Sequence, residues 1–178
     1  LARSGIPVLV VEKHGDFLRD FRGDTVHPST MEILDQLGML DRFLKRPHSR
    51  LSQARITVAG RNLTIGELRH LNTPTPFIAM MPQWDFLDFL KTEASRFPSF
   101  ALEMNAEVVE LIERDGRTVG VVLAGGRCIE AGKLVIMADG RGSIVRGQNI
   151  LPVKALGAPM DVFWFRLPKR EAAGEALR

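Results

Sequence analysis

The sequence holds a single cysteine, Cys128, among its 178 residues. One thiol excludes an intrachain disulfide, and no Cys/His spacing of the zinc-binding kind accompanies it. Cys128 reads as a small buried residue on a strand, and its isolation fits a reducing, cytoplasmic setting. Long apolar runs are also missing. A helix that spans a bilayer needs ~20 apolar residues, whereas the longest continuous run, residues 6–11, is of strand length. No apolar leader with a cleavage pattern opens the chain. Concentrated charge of one sign is absent too. The net charge is +3 and the pI about 9.4, but lysines and arginines are interspersed with acids. The densest basic run, Arg42, Lys45 and Arg46, reads as a solvated helix end rather than a nucleic-acid interface. Neither an internal repeat nor a low-complexity tract is visible.

What is present is the composition of a globular domain, 45% hydrophobic and 25% charged, long enough for one good core and a small second layer. Residues 1–4 read as the last turn of a helix and Gly5 as its stop. Residues 6–11 are apolar and rich in β-branched side chains, the signature of a strand covered on both faces in a parallel sheet. Residues 13–24 form a loop. Pro28 suits a first helical turn; Met31, Ile33, Leu34 and Leu37 supply the apolar face, and Gly38 ends the helix. A shorter helix is expected over 40–45. Alternation at Ile56, Val58, Leu63 and Ile65 around Gly60-Arg61 predicts a hairpin. Residues 77–81 form a short strand. Pro82 opens a helix whose apolar stripe is Trp84, Leu87, Leu90, Ala94 and Phe97, ended by Pro98. A three-stranded meander follows, with turns at Asp115-Gly116 and Gly125-Gly126. A buried strand is expected over 133–138, a short helix over 143–148, a last strand over 160–167 and a polar tail from 169.

Three places carry chemistry. Glu12 closes the first buried strand. The carboxyl end of a parallel strand faces the crevice where dinucleotides bind, and a carboxylate there can accept hydrogen bonds from both hydroxyls of a ribose. The Gly-rich turn that holds the pyrophosphate in such folds lies ~20 residues earlier, a count that passes Leu1. Arg22, in Arg22-Gly23-Asp24 after a flexible loop, could pair with a phosphate; surface charge is the competing reading. Asp139-Gly140 ends the strand at 133–138 just before a helix, where glycine permits close approach of backbone to a ligand and the helix start favours anions; a plain turn is the alternative. His14, His27, His48 and His70 form no recognisable constellation, and no acid, base or nucleophile is assigned.

The stretches LARSGIPVLVVEK (1–13), FRGDTVHPSTMEILDQLG (21–38), MPQWDFL (81–87) and IMADGRGSIVR (136–146) resemble, in order and spacing, landmarks of the class A flavoprotein monooxygenases, the group of para-hydroxybenzoate hydroxylase. The resemblance runs from Leu1 to about Leu167, and the Asp-Gly segment is its most specific part. It implies an α/β fold: a partial FAD/NAD(P)-binding Rossmann-like domain with a β-meander and the start of a β-rich substrate domain. Residues 1–53 and 82–150 would form the FAD-binding domain, and residues 54–81 and 151–178 part of the substrate domain. By the same resemblance Glu12 binds the adenosine ribose with Lys13 beside it, Arg22 reaches the FAD phosphate region, and Gln83 contacts the cofactor. Val108 meets the adenine through its backbone, and Asp139 and Gly140 form the fingerprint tied to FAD and NAD(P)H use. The implied reaction is NAD(P)H-dependent hydroxylation of a small aromatic substrate by molecular oxygen.

The family's leading glycine motif and its later Gly-Asp motif have no counterpart in this sequence, so the chain reads as a fragment of a longer member cut at both ends. Two other readings stay open: another flavin oxidoreductase of the same fold, such as a reductase or halogenase, and a non-catalytic chain that folds without cofactor. In the last, exposed sheet edges would favour pairing with a second copy.

Overall fold

A computed structural model describes residues 1–18, 23–147, 154, 157 and 176–177. The strands in chain order are β1 (Val8–Glu12), β2 (Thr25–Val26), β3 (Ser49–Leu51), β4 (Gln53–Val58), β5 (Arg61–Glu67), β6 (Ile78–Met80), β7 (Phe100–Met104), β8 (Val108–Arg114), β9 (Arg117–Leu123), β10 (Cys128–Glu130) and β11 (Ala176–Leu177). The helices are α1 (Pro28–Gln36), α2 (Leu40–Leu44), α3 (Gln83–Ala94) and α4 (Ile144–Gly147). The chain divides into two compact units, Leu1–Asp16 with Phe97–Val162 and Phe17–Arg96 with Phe163–Arg178.

In the first unit a tight turn over Ala2–Ser4 closes on Gly5 at φ 74°, as the glycine stop requires. β1 follows and pairs in parallel with β7, Val8 opposite Phe100 and Glu12 opposite Met104. β7 is an element that the sequence reading passed over, although Phe100, Leu102 and Met104 alternate as a strand should. The expectation that β1 is covered on both faces fails. It has one hydrogen-bonded neighbour among the described residues, and Leu9 and Val10 remain 45% and 41% exposed. β8, β9 and β10 form the expected antiparallel meander, turned at Asp115 and Gly116, both at positive φ. Cys128 lies on β10 as expected but is exposed rather than buried, because it opens the short outer strand of the meander. Its core gathers Ala106, Leu111, Val121 and Leu123, with Val11, Val135 and Met137 packed against them. Residues 133–138 do not form the expected strand. Val135 and Met137 turn inward, while Leu134 and Ile136 point out at 71% and 66% exposure. The apolar alternation sets the faces, but a strand exists only through a neighbour's ladder, and no ladder pairs this segment among the described residues.

The second unit is built around Phe43, fully buried, with Phe86 and Phe89 edge-on to it at 5.8 and 5.5 Å between centroids. Burying one such ring contributes about 1.5–3 kcal/mol. Pro28 begins α1 as expected. Gly38, at φ 67°, ends it with paired reverse bonds, Gly38 N–H to Asp35 O (2.8 Å) and Met39 N–H to Leu34 O (2.8 Å), the usual pattern of a left-handed glycine stop. Met31 and Leu34 are buried, whereas Ile33 and Leu37 stay exposed, so the core face of α1 is narrower than expected. In α3 the inward stripe is Phe86, Phe89, Leu90 and Glu93, not the one through Trp84, Leu87 and Ala94. β2 and β3 flank β6 antiparallel. The β4–β5 hairpin turns at Ala59 and Gly60, both at positive φ, one residue earlier than expected, because a two-residue hairpin turn needs φ > 0 at both central positions. β11 pairs with β4 inside the stretch read as a polar tail. The strand expected over 160–167 lies outside the described residues.

Candidate cofactor site

In the first unit the site is the carboxyl end of β1. The turn that leaves the strand is laced to the exit of β7: Ala106 N–H bonds the Glu12 carbonyl at 2.8 Å and Asn105 N–H bonds the His14 carbonyl at 3.0 Å. Asn105 adopts φ 56°, a conformation that asparagine tolerates better than most residues. A Cβ on Gly15 would lie 3.0–3.5 Å from the Asn105 amide, so glycine lets the two loops meet. Glu12 is half-buried, and its Oε1 receives the His14 backbone N–H at 2.9 Å and contacts His14 Nδ1 at 2.6 Å. Val108 opens β8 two residues beyond Ala106. It pairs with Leu123 at a register shift and packs with Val11 on the meander core.

Asp139 belongs to the same unit. Its Oδ2 accepts the Ile144 N–H at 3.0 Å, so the carboxylate itself caps the first turn of α4. Local desolvation opposes ionisation of this carboxyl. The Ser143 hydroxyl, the Ile144 amide, its own amide and the nearby Lys13 ammonium outweigh it and hold Asp139 below the usual aspartate range. Gly140 follows at φ 75° with open space where a Cβ would stand. Glu12, Lys13, Val108, Asp139 and Gly140 all lie in the first unit, and the Lys13 charge favours the ionised form of Asp139.

Gln83 belongs to the second unit. Its N–H at the start of α3 bonds Asp24 Oδ1 at 3.1 Å, while Met81 N–H bonds the Asp24 carbonyl at 3.0 Å. Gly23 holds φ 82°, and a Cβ there would fall 2.9 Å from Gln83 Nε2. The loop before β2 therefore dovetails with the Gln83 side chain. Arg22 lies outside the described residues. Sequence reasoning missed His14 and Asn105 as parts of the β1 turn, and it valued Gly23 and Asp24 only as neighbours of Arg22. The asparagine after an apolar strand and the glycine three residues beyond the acid were the available signals.

Residues 1–168 match the family described as FAD binding domain. The chain belongs to that family. Among relatives of this FAD-binding domain, 6-methylpretetramide 4-monooxygenase of Streptomyces rimosus is 31% identical, over 94% of this chain and 41% of its own length. An uncharacterized aromatic compound monooxygenase of Bacillus subtilis is 29% identical, over 83% of this chain and 29% of its own. Among solved structures, the ternary complex of aklavinone-11 hydroxylase with FAD and aklavinone has a TM-score of 0.65 and 27% identity, covering 83% of this chain and 31% of that one. The chain therefore spans well under half the length of these relatives. FAD is the cofactor of the family, and the β1 end fits its adenosine half: a half-buried carboxylate at the carboxyl end of a parallel strand is the acceptor that ribose hydroxyls need. No group of three or more His, Cys, Asp or Glu residues that could hold a metal ion occurs among the described residues, nor is any helix among them long and apolar enough to cross a membrane.

Proposed function

We propose that this chain is the cofactor-binding part of an FAD-dependent, NAD(P)H-using monooxygenase that hydroxylates a small aromatic substrate with molecular oxygen. The observation that carries the reading is Glu12 at the carboxyl end of β1, in the same compact unit as Lys13 and Asp139, in a chain of the FAD-binding-domain family. The flavin supplies the redox chemistry; the protein binds it, orients it and excludes water. Glu12 accepts the hydroxyls of the adenosine ribose, and Lys13 adds positive potential next to it. The Val108 backbone meets the adenine. Arg22 reaches the phosphate region and Gln83 contacts the cofactor. Asp139 and Gly140 serve FAD and NAD(P)H use, with the carboxylate shaping the turn by capping α4.

Residues 1–53 and 82–150 are the proposed FAD-binding domain, and residues 54–81 and 151–178 the proposed part of the substrate domain. The proposed setting is the cytoplasm. A homo-oligomer is the proposed assembly, through the open edge of β1. The names of the relatives support the aromatic substrate class.

The test is an absorbance spectrum of the purified chain after incubation with FAD and desalting. Retained flavin bands are the expected result, followed by NAD(P)H oxidation assays with aromatic substrates. Loss of all flavin from a chain still folded by circular dichroism would refute cofactor binding by this chain.

A further inference from the structure

Two donors from one residue converge on one oxygen of the proposed ribose acceptor. The His14 backbone N–H and Nδ1 stand 2.9 and 2.6 Å from Glu12 Oε1. An ionised carboxylate is an acceptor only, so Nδ1 must carry the proton in this contact. The paired donors restrain rotation of the carboxylate about its terminal bond and fix its plane. His14 is itself anchored, since its carbonyl accepts the Asn105 N–H at 3.0 Å, and the next residue, Gly15, lies against the Asn105 amide. Each glutamate rotamer removed before the ligand arrives is conformational freedom that binding does not have to remove. We propose that His14 is a positioning residue for FAD: it presets the Glu12 carboxylate for the adenosine ribose. This deepens the proposed function and rests on it.

The experiment measures the Kd of FAD for the full chain by quenching of flavin fluorescence. His14→Ala should raise Kd about tenfold. His14→Asn, whose side-chain amide can take the place of Nδ1–H, should stay within about threefold of the unsubstituted chain. On a Glu12→Ala background, His14→Ala should change Kd by less than about twofold, because the two residues act as one unit. Circular dichroism and Tm are followed for each variant. An unchanged Kd in His14→Ala would overturn the proposal, as would an equal loss with and without Glu12, which would mark His14 as a prop for the turn alone. If the unsubstituted chain binds no FAD, the reading of the chain as a cofactor-binding part fails and this role falls with it; binding that ignores His14 sinks only the positioning role.

Discussion

At the scale of single residues, Glu93 shows how a charge reaches a core. It is only 7% exposed on the inward stripe of α3. Arg42 grips it with both ends of its fork, Nε to Oε1 at 3.0 Å and Nη2 to Oε2 at 2.7 Å, and Arg96 Nη1 reaches Oε2 at 3.2 Å. The Arg42 hydrogen bonds lower the Glu93 pKa, burial raises it, and the charges of Arg42 and Arg96 lower it further, so the carboxyl sits below its ordinary value of 4.5. A depressed folded-state pKa contributes stability that is fully present above the unfolded value and lost as pH falls through the folded one. Glu93→Gln should therefore flatten the acid limb of Tm against pH, below about pH 4.5, while the unsubstituted protein loses Tm steeply there. Parallel acid limbs in the two proteins would dispose of the ion pair as a source of acid sensitivity. Glu93→Ala should lower Tm by several degrees at neutral pH, since it removes a nearly buried side chain from the inward stripe of α3 together with its two-pronged pairing to Arg42. The same residue explains why the α3 face was misread. Periodicity counts apolar side chains, and a paired glutamate on the core stripe is invisible to it. Phe86 and Phe89 were legible and were outvoted by Trp84 and Leu87. The carboxylate of Glu12 was legible because a strand end is a position, whereas its partner His14 needed coordinates to be seen.

At the scale of elements, the segment 133–138 separates what apolar alternation encodes from what it does not. The faces were readable: Val135 and Met137 pack on the meander core, and Leu134 and Ile136 do not. Truncating the inward pair, Val135→Ala with Met137→Ala, should destabilise the unit by about 2 kcal/mol. The outward pair, Leu134→Ser with Ile136→Ser, should stay within about 0.5 kcal/mol. Urea denaturation of both double variants checks this, and equal losses would mean that the outward residues are covered in solution. Hydrogen-bonded partners are what one sequence leaves unspoken. Turn chemistry spoke more clearly, and Gly5, Gly38 and Asp115-Gly116 all fall where their left-handed conformations are needed. The hairpin at Ala59-Gly60 shifted by one residue because alanine gives no sign that it will accept φ 49°.

At the scale of the whole molecule, each unit has its own apolar cluster, and the two clusters share no residue. The β4–β5 hairpin also carries an uncovered apolar face, with Ile56, Val58, Leu63 and Ile65 exposed. Such an exposed apolar face, like the exposed Leu9 and Val10 on β1 of the other unit, is the kind of surface that recruits another chain. Sedimentation should show a mass that rises with concentration, whereas a strict monomer at high concentration would contradict self-association. The discontinuity of the first unit bears on how the protein is made. β1 must wait for β7, because Val8 pairs with Phe100 and everything between them is translated first. At ~5–20 residues per second, an apolar strand stands without its partner on the ribosome for roughly 5–20 s. During that time the intervening segment, Phe17–Arg96, can collapse on its own. The order of synthesis thus exposes the carboxyl end of β1 to chaperones, or to a neighbouring nascent chain, before β7 exists to pair with it.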